Sequence, residues 1–123
     1  MSIAKDIVKY LDTNTSFTVG SNLFLGYIPL EKETGVAIAE VGGWENDTNM
    51  LRVMLHITSI ADDYETAETN CYIAYNKLVY SNGFTIDSGY VFNCVPISTP
   101  IYIGLNEHQK VIMTCSIALF KER

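Results

Sequence analysis

A chain of 123 residues has the size of one domain, and 48% apolar against 18% charged residues supplies a core and excludes an intrinsically disordered protein. Eight Lys and Arg against fourteen Asp and Glu leave a net charge of −6. The cations are scattered, which argues against a broad phosphate-binding or nucleic-acid-binding surface.

Ser2 is placed to cap a first helix over about residues 3–11, because Ile3, Ile7, Tyr10 and Leu11 fall at i, i+4, i+7 and i+8 as one apolar stripe. Charges recur at every turn of this segment, so it does not read as a signal peptide, and no window of the chain approaches about 18 uninterrupted apolar residues. Folding in a cytoplasm, without a membrane partner, is the expectation. Residues 13–16 read as a loop. Residues 23–28 are apolar and aromatic between turn residues, and read as a strand. A charged turn at 29–35 leads to a second strand at 36–41. Gly42-Gly43 is expected to break it, and 44–49 to form a polar loop holding the single tryptophan, Trp44. Residues 50–60 alternate: Leu51, Val53, Leu55 and Ile57 share one face, and Arg52, Met54, His56 and Thr58 the other.

The period then becomes helical. Asp62, Asp63 and Glu65 crowd a helix start, and Lys77 lies near its end, both favoured by the helix dipole. Tyr64, Ala67, Cys71, Ala74 and Leu78 mark the stripe expected to face the core. Asn82-Gly83 supplies the stop. Strands are expected at 90–95 and 101–105, separated by a proline-punctuated loop. Residues 106–109 turn into a last strand at 111–120, ten residues without a formal charge. At about 3.3 Å per residue this strand spans roughly 33 Å, longer than the usual 17–20 Å or so.

These elements predict an α+β domain over residues 1–123: a mostly antiparallel sheet with two helices packed on one face, in the order α-β-β-β-α-β-β-β. Both long strands are two-sided. Val111, Met113, Cys115, Ile117 and Leu119 are expected under the helices, with the aliphatic face of 50–60. The opposite faces carry Arg52, Met54 and His56 on one strand, and Ile112, Thr114 and Ser116 on the other. This mixture suits a lumen wall or a subunit contact better than a dry core. Trp44 either tucks onto the core or anchors a partner, where tryptophan is over-represented.

Chemistry is hard to find in the sequence. Gly20-Ser21-Asn22 lacks the spacing of a dinucleotide or phosphate loop, and no G-K-[ST] occurs. His56 stands alone in mid-strand and His108 in a turn, so neither reads as a catalytic base. Asp62-Asp63 read as helix capping, and Glu31 and Glu33 as a solvated turn. Cys71, Cys94 and Cys115 form no C-x-x-C pair and read as reduced, mostly buried small apolar residues. No catalytic residue, cofactor or metal ligand is assigned.

The block PIYIGLNE at 100–107, followed by the long closing strand, resembles the small tail-terminator proteins of siphophages, often labelled minor capsid proteins in phages of Gram-positive hosts. The family pattern is a proline, a few apolar residues, a glycine, an acidic turn and a long strand. The order of elements is similar over nearly the whole chain. Leu105 and Asn106 stand where many relatives carry an arginine and an acid, so a charge-based docking contact at that turn is not carried over. The resemblance implies a structural virion protein that assembles in the host bacterial cytoplasm. It implies a hexameric ring on the head-proximal end of the tail tube, which ends tube polymerisation and meets the head connector. The implied partners are the tail tube protein, the head connector protein and further copies of the chain. Three other readings stand beside it: another neck or head-completion protein, a small-ligand binding module using Trp44 or His56, and a small dimeric α+β enzyme.

Overall fold

The structure, a computed structural model, describes residues 3–45 and 50–122, with residues 43–45 described by their backbone alone. Its elements are α1 (Ile3–Asn14), β1 (Leu23–Leu25), β2 (Gly35–Glu45), β3 (Met50–Ala61), α2 (Tyr64–Val79), β4 (Phe84–Ile86), β5 (Gly89–Leu105) and β6 (Val111–Glu122). The six strands form one sheet in the order β1-β2-β3-β6-β5-β4. All pairs are antiparallel except β1 with β2. This is the predicted α+β architecture, with both helices packed on one face.

The centre is the β3–β6 pair, in unbroken register from Met50 opposite Glu122 to Ala61 opposite Val111. Alternation does here what the sequence predicts. Val53, Leu55 and Ile57 are buried, as are Val111, Met113, Cys115, Ile117 and Leu119. They share one core with Ile7 and Leu11 of α1 and with Ala67, Cys71, Ala74 and Leu78 of α2. Each fully buried aliphatic side chain stabilises the fold by about 1.5–3 kcal/mol. Ser59 lies on the same side and is fully buried, and its hydroxyl donates to the Ala67 carbonyl at 2.9 Å.

The helix ends explain two departures. α1 runs to Asn14, because the Thr13 hydroxyl and Asn14 amide fold back onto the carbonyls of Lys9 and Tyr10 and so join the last turn. At its start the Ala4 N–H donates to the Glu40 carboxylate of β2 at 2.9 Å, where the dipole favours an anion. The predicted cap, Ser2, lies outside the described residues. α2 begins on Asp63, whose carboxylate accepts from the Thr66 N–H at 3.3 Å. Tyr64 is not in the core: it is 49% exposed, and its ring meets the half-exposed Tyr102 of β5 at 5.6 Å.

The remaining corrections concern the strands. β1 has three residues, not six, and stops at Gly26, whose φ of 85° turns the chain. Gly42-Gly43 does not end β2. A bulge between Glu40 and Gly42 absorbs the irregularity, and the strand continues to Glu45. Trp44 therefore lies in a strand opposite Arg52, not in a loop. Residues 46–49 of the predicted loop lie outside the described residues. The two strands expected at 90–95 and 101–105 are one strand of 17 residues. β5 shifts register four times: Pro100 falls in the shift between Ser98 and Ile101, and Pro96 pairs with Ile117 where β5 has no second neighbour among the described residues, the edge position a proline tolerates. Sequence reading also passed over β4. Its three residues pair with Gly89–Val91 through the Asp87-Ser88 turn and are too short to show a period.

Candidate functional site

The helix-free face of the sheet brings six of the seven predicted contact residues together. Strand pairing sets Arg52 opposite Phe120, His56 opposite Ser116, Thr58 opposite Thr114 and Ile60 opposite Ile112. Met54 stands between Arg52 and His56 on the same side. Arg52, Met54, His56, Ile112, Thr114 and Ser116 are all half-buried, because neighbouring side chains shield one another on the sheet. Trp44 is the seventh. Its backbone extends this face next to Arg52, and its side chain lies outside the described part of the structure.

Two interactions organise the face. The Arg52 guanidinium lies over the Phe120 ring, 5.7 Å from its centroid, a cation–π contact. His56 Nδ1 lies 3.3 Å from Ser116 Oγ, and the Ser116 N–H donates to Ser98 Oγ at 3.1 Å. That chain of contacts ties β3, β6 and β5 together. A histidine beside a serine invites a test for nucleophilic chemistry. Among the described residues no carboxylate hydrogen-bonds the His56 ring, and a base that activates a serine needs such an orienting partner. Nor does any group of three His, Cys, Asp or Glu side chains converge as metal ligands would among the described residues. A groove of about 650 Å³ lies elsewhere, between the ends of the two helices, lined by Tyr10, Asn14, Asn76, Lys77 and Tyr80.

The electrostatics of the face are simple. From Arg52 to Ile60 and from Ile112 to Phe120, Arg52 is the only formally charged side chain on this side. Among the described residues on β2, Glu40 is committed to the α1 terminus. As a passage wall for DNA the face would present a cation, not a repelling anionic surface. As a protein contact it offers uncharged side chains around one arginine, a composition typical of interfaces.

The thiols are on the other side. All three cysteines are free and buried. Burial pushes the Cys94 thiol up to about 12. Cys115 is also pushed far up, first by its hydrogen bond with Cys71, whose sulfur lies 4.0 Å away, and then by burial. Neither is poised to ionise near neutral pH. At the surface, Lys9 is held protonated by its hydrogen bond to Asp87 at 2.8 Å, which ties α1 to the β4–β5 turn.

Sequence reasoning missed a run of exposed apolar side chains on one strand of the sheet. β5 presents Phe92, Ile97, Ile101, Ile103 and Leu105, each about half exposed. A signal was available: residues 88–106 hold no charge. The prolines concealed it by making the middle of the strand read as a loop. The chain matches no protein-family model and no curated protein.

Proposed function

We propose that this protein is a structural virion component, a ring-forming cap on the head-proximal end of a phage tail tube that ends polymerisation and joins tail to head. The observation that carries this reading is the open sheet face of β3 and β6. It is held by twelve consecutive in-register pairs, carries Arg52 and, at the end of β6, Glu122 as its formal charges, and is covered by no element among the described residues. A half-buried, mixed face of this kind, poor in charge, suits a contact with another protein surface. The PIYIGLNE block adds support from its position. Its apolar part closes β5, and Asn106 builds the turn into β6 by accepting from the N–H groups of His108 and Lys110. The expected partners are other copies of the chain, the tail tube protein and the head connector. No cofactor enters this role, and the site of action is the tail or neck of the particle.

Electron microscopy of the protein mixed with purified tails tests the reading. Rings confined to one end of each tail support it. Decoration of isolated heads, with bare tail ends, would assign the protein to the neck instead. Inactivation of the gene should give tails of uncontrolled length or tubes that never join heads. Normal infectious particles from such a mutant would end the proposal.

A further inference from the structure

Cys71 and Cys115 are distant in sequence and meet in the core. Both are fully buried. The Cys71 thiol donates to Cys115 Sγ with 4.0 Å between the sulfurs, across 44 residues of chain. One belongs to the middle of α2 and the other to β6. The sequence gives this approach a cause. Cys71 stands between Ala67 and Ala74 on the stripe of α2 that meets the sheet, and such small side chains let the helix sit close. The Ser59 hydroxyl holds the same stripe down by donating to the Ala67 carbonyl at 2.9 Å. Ser59 pairs with Met113, the next residue but one before Cys115 on the same face, so the tether stands beside the sulfur pair.

The third cysteine is kept apart from Cys115. Cys94 pairs with Leu119, four positions along β6 from Cys115. At about 3.3 Å per residue the offset is roughly 13 Å, beyond a disulfide, whose Cα atoms lie within about 7 Å of each other. Cys71 and Cys115 need far less. Bonded sulfurs lie about 2.05 Å apart, so about 2 Å of movement closes the pair. Rotation about each Cα–Cβ bond, with a small settling of α2, is the movement required.

We infer that Cys71 and Cys115 form a redox-sensitive clamp: two thiols in a reducing medium, and a disulfide fastening α2 to β6 in an oxidising one. The oxidant is a small disulfide of the glutathione class. One protein thiolate attacks a sulfur of the oxidant, forming a mixed disulfide and releasing one small thiol. The second protein thiolate attacks the protein sulfur of that mixed disulfide, forming the Cys71–Cys115 bond and releasing the second small thiol. The chain gives up two electrons and two protons, and the two released thiols carry them. Solvent reaches neither sulfur in the closed domain, so the exchange passes through openings of α2 from the sheet. A cytoplasm keeps such a pair as thiols, and an oxidising medium outside a cell allows it to close. The pairing is independent of the proposed function, and only its use in a released particle rests on that reading.

Treatment of the full chain with oxidised glutathione, in urea below the unfolding transition, tests it. The product is then denatured, alkylated and mapped by peptide mass. The folded chain should lose the mass of two hydrogens, with Cys71 joined to Cys115 and Cys94 alkylated. The same treatment of the unfolded chain should favour the shorter loops, Cys71 to Cys94 and Cys94 to Cys115, because closure is easier over fewer residues. The linked chain should melt about 5–10 °C above the reduced one, since the bond constrains the unfolded state and strain offsets part of that gain. Cys94→Ala should keep this rise, and Cys71→Ala should abolish it. If Cys71→Ala does not fold, Cys115→Val replaces it, and the map of the wild type needs no variant. A folded chain that resists oxidation, or whose main disulfide includes Cys94, overturns the inference. So does a linked chain that melts at or below the reduced one. Closure of the bond in a protein that binds no tails would leave the inference standing and remove only its use in a particle.

Discussion

β3 and β5 belong to one sheet and obey different rules. β3 lies between two long strands, is paired on both sides, and shows a regular alternation of buried and half-buried side chains. β5 is five residues longer, 17 against 12, yet is paired along its length only with β6, and it shifts register four times. Two neighbours fix a strand's pleat, and a slip would turn its apolar set to the wrong side. With one neighbour, extra residues can bulge outward at little cost. The inner strand is therefore specified by packing against the helices, and the outer one is free to be shaped by whatever it meets.

The same substitution made in the two regions gives the widest contrast. Ile117→Asp, at a fully buried site beside β3, places a carboxylate in the core without a partner. The expected loss is several kcal/mol, comparable with a whole-domain stability of about 5–15 kcal/mol, so the variant should be unfolded by circular dichroism at room temperature. Ile103→Asp on β5, 57% exposed, should change stability by no more than about 0.5 kcal/mol. Equal losses at the two sites would erase the distinction. Thr114→Glu, on the open face opposite the core, should melt close to wild type; if the proposed ring buries this face between subunits the variant should give no rings by negative-stain microscopy, and if the face lines a lumen the rings should persist.

Backbone strain gives the next effect. Gly35 opens β2 at a φ of 144°, and an added Cβ would lie 2.7 Å from the Phe24 ring. Gly42, at the β2 bulge, has a similar φ of 150° and nothing within 4 Å. Gly35→Ala should cost about 1–3 kcal/mol by chemical denaturation, and Gly42→Ala measurably less. A reversed order would mean that strain at the bulge outweighs crowding at the paired end.

Alkaline titration reaches the helix-covered side of the sheet through a buried thiol. The Cys94 thiol is raised from 9.0 to about 12 by burial, so the folded chain holds this proton more tightly than the unfolded one. Its contribution to stability is complete below about pH 9 and is lost as pH rises toward about 12, at up to ~1.4 kcal/mol per pH unit. Cys94→Ala should flatten that decline in denaturation curves measured through this window. A modest effect belongs to the α2 cap, where Asp63→Ala should cost about 1 kcal/mol by thermal melting.

Legibility in the sequence follows the same division. The two helices, the central pair and the two-faced pattern could be read because a period of 3.6 or 2 is imposed wherever an element meets the core on one side. Arg52, Met54, His56, Ile112, Thr114 and Ser116 were placed on one face from alternation alone. Tyr64 was misplaced because a stripe read along a helix does not reveal where the sheet beneath it ends. Pro96 and Pro100 hid a strand because an edge position and a register shift, the two places that tolerate proline in a sheet, leave no local mark. Gly42-Gly43 looked like a stop and is the site of a bulge. The face's role was legible only as a composition without chemistry, since the partner that would define it is a different surface.

The order of the strands also dictates when the domain can close. β6 follows every other described element in the chain, yet it sits in the middle of the sheet, between β3 and β5. During synthesis β3 must wait, one edge unsatisfied, for the chain to travel through α2, β4 and β5 before its main partner emerges. Most contacts that define the core are therefore distant in sequence, which slows folding relative to a helical bundle of the same size. Until β6 arrives, the growing chain exposes two unpaired strand edges, each a template for pairing with another chain.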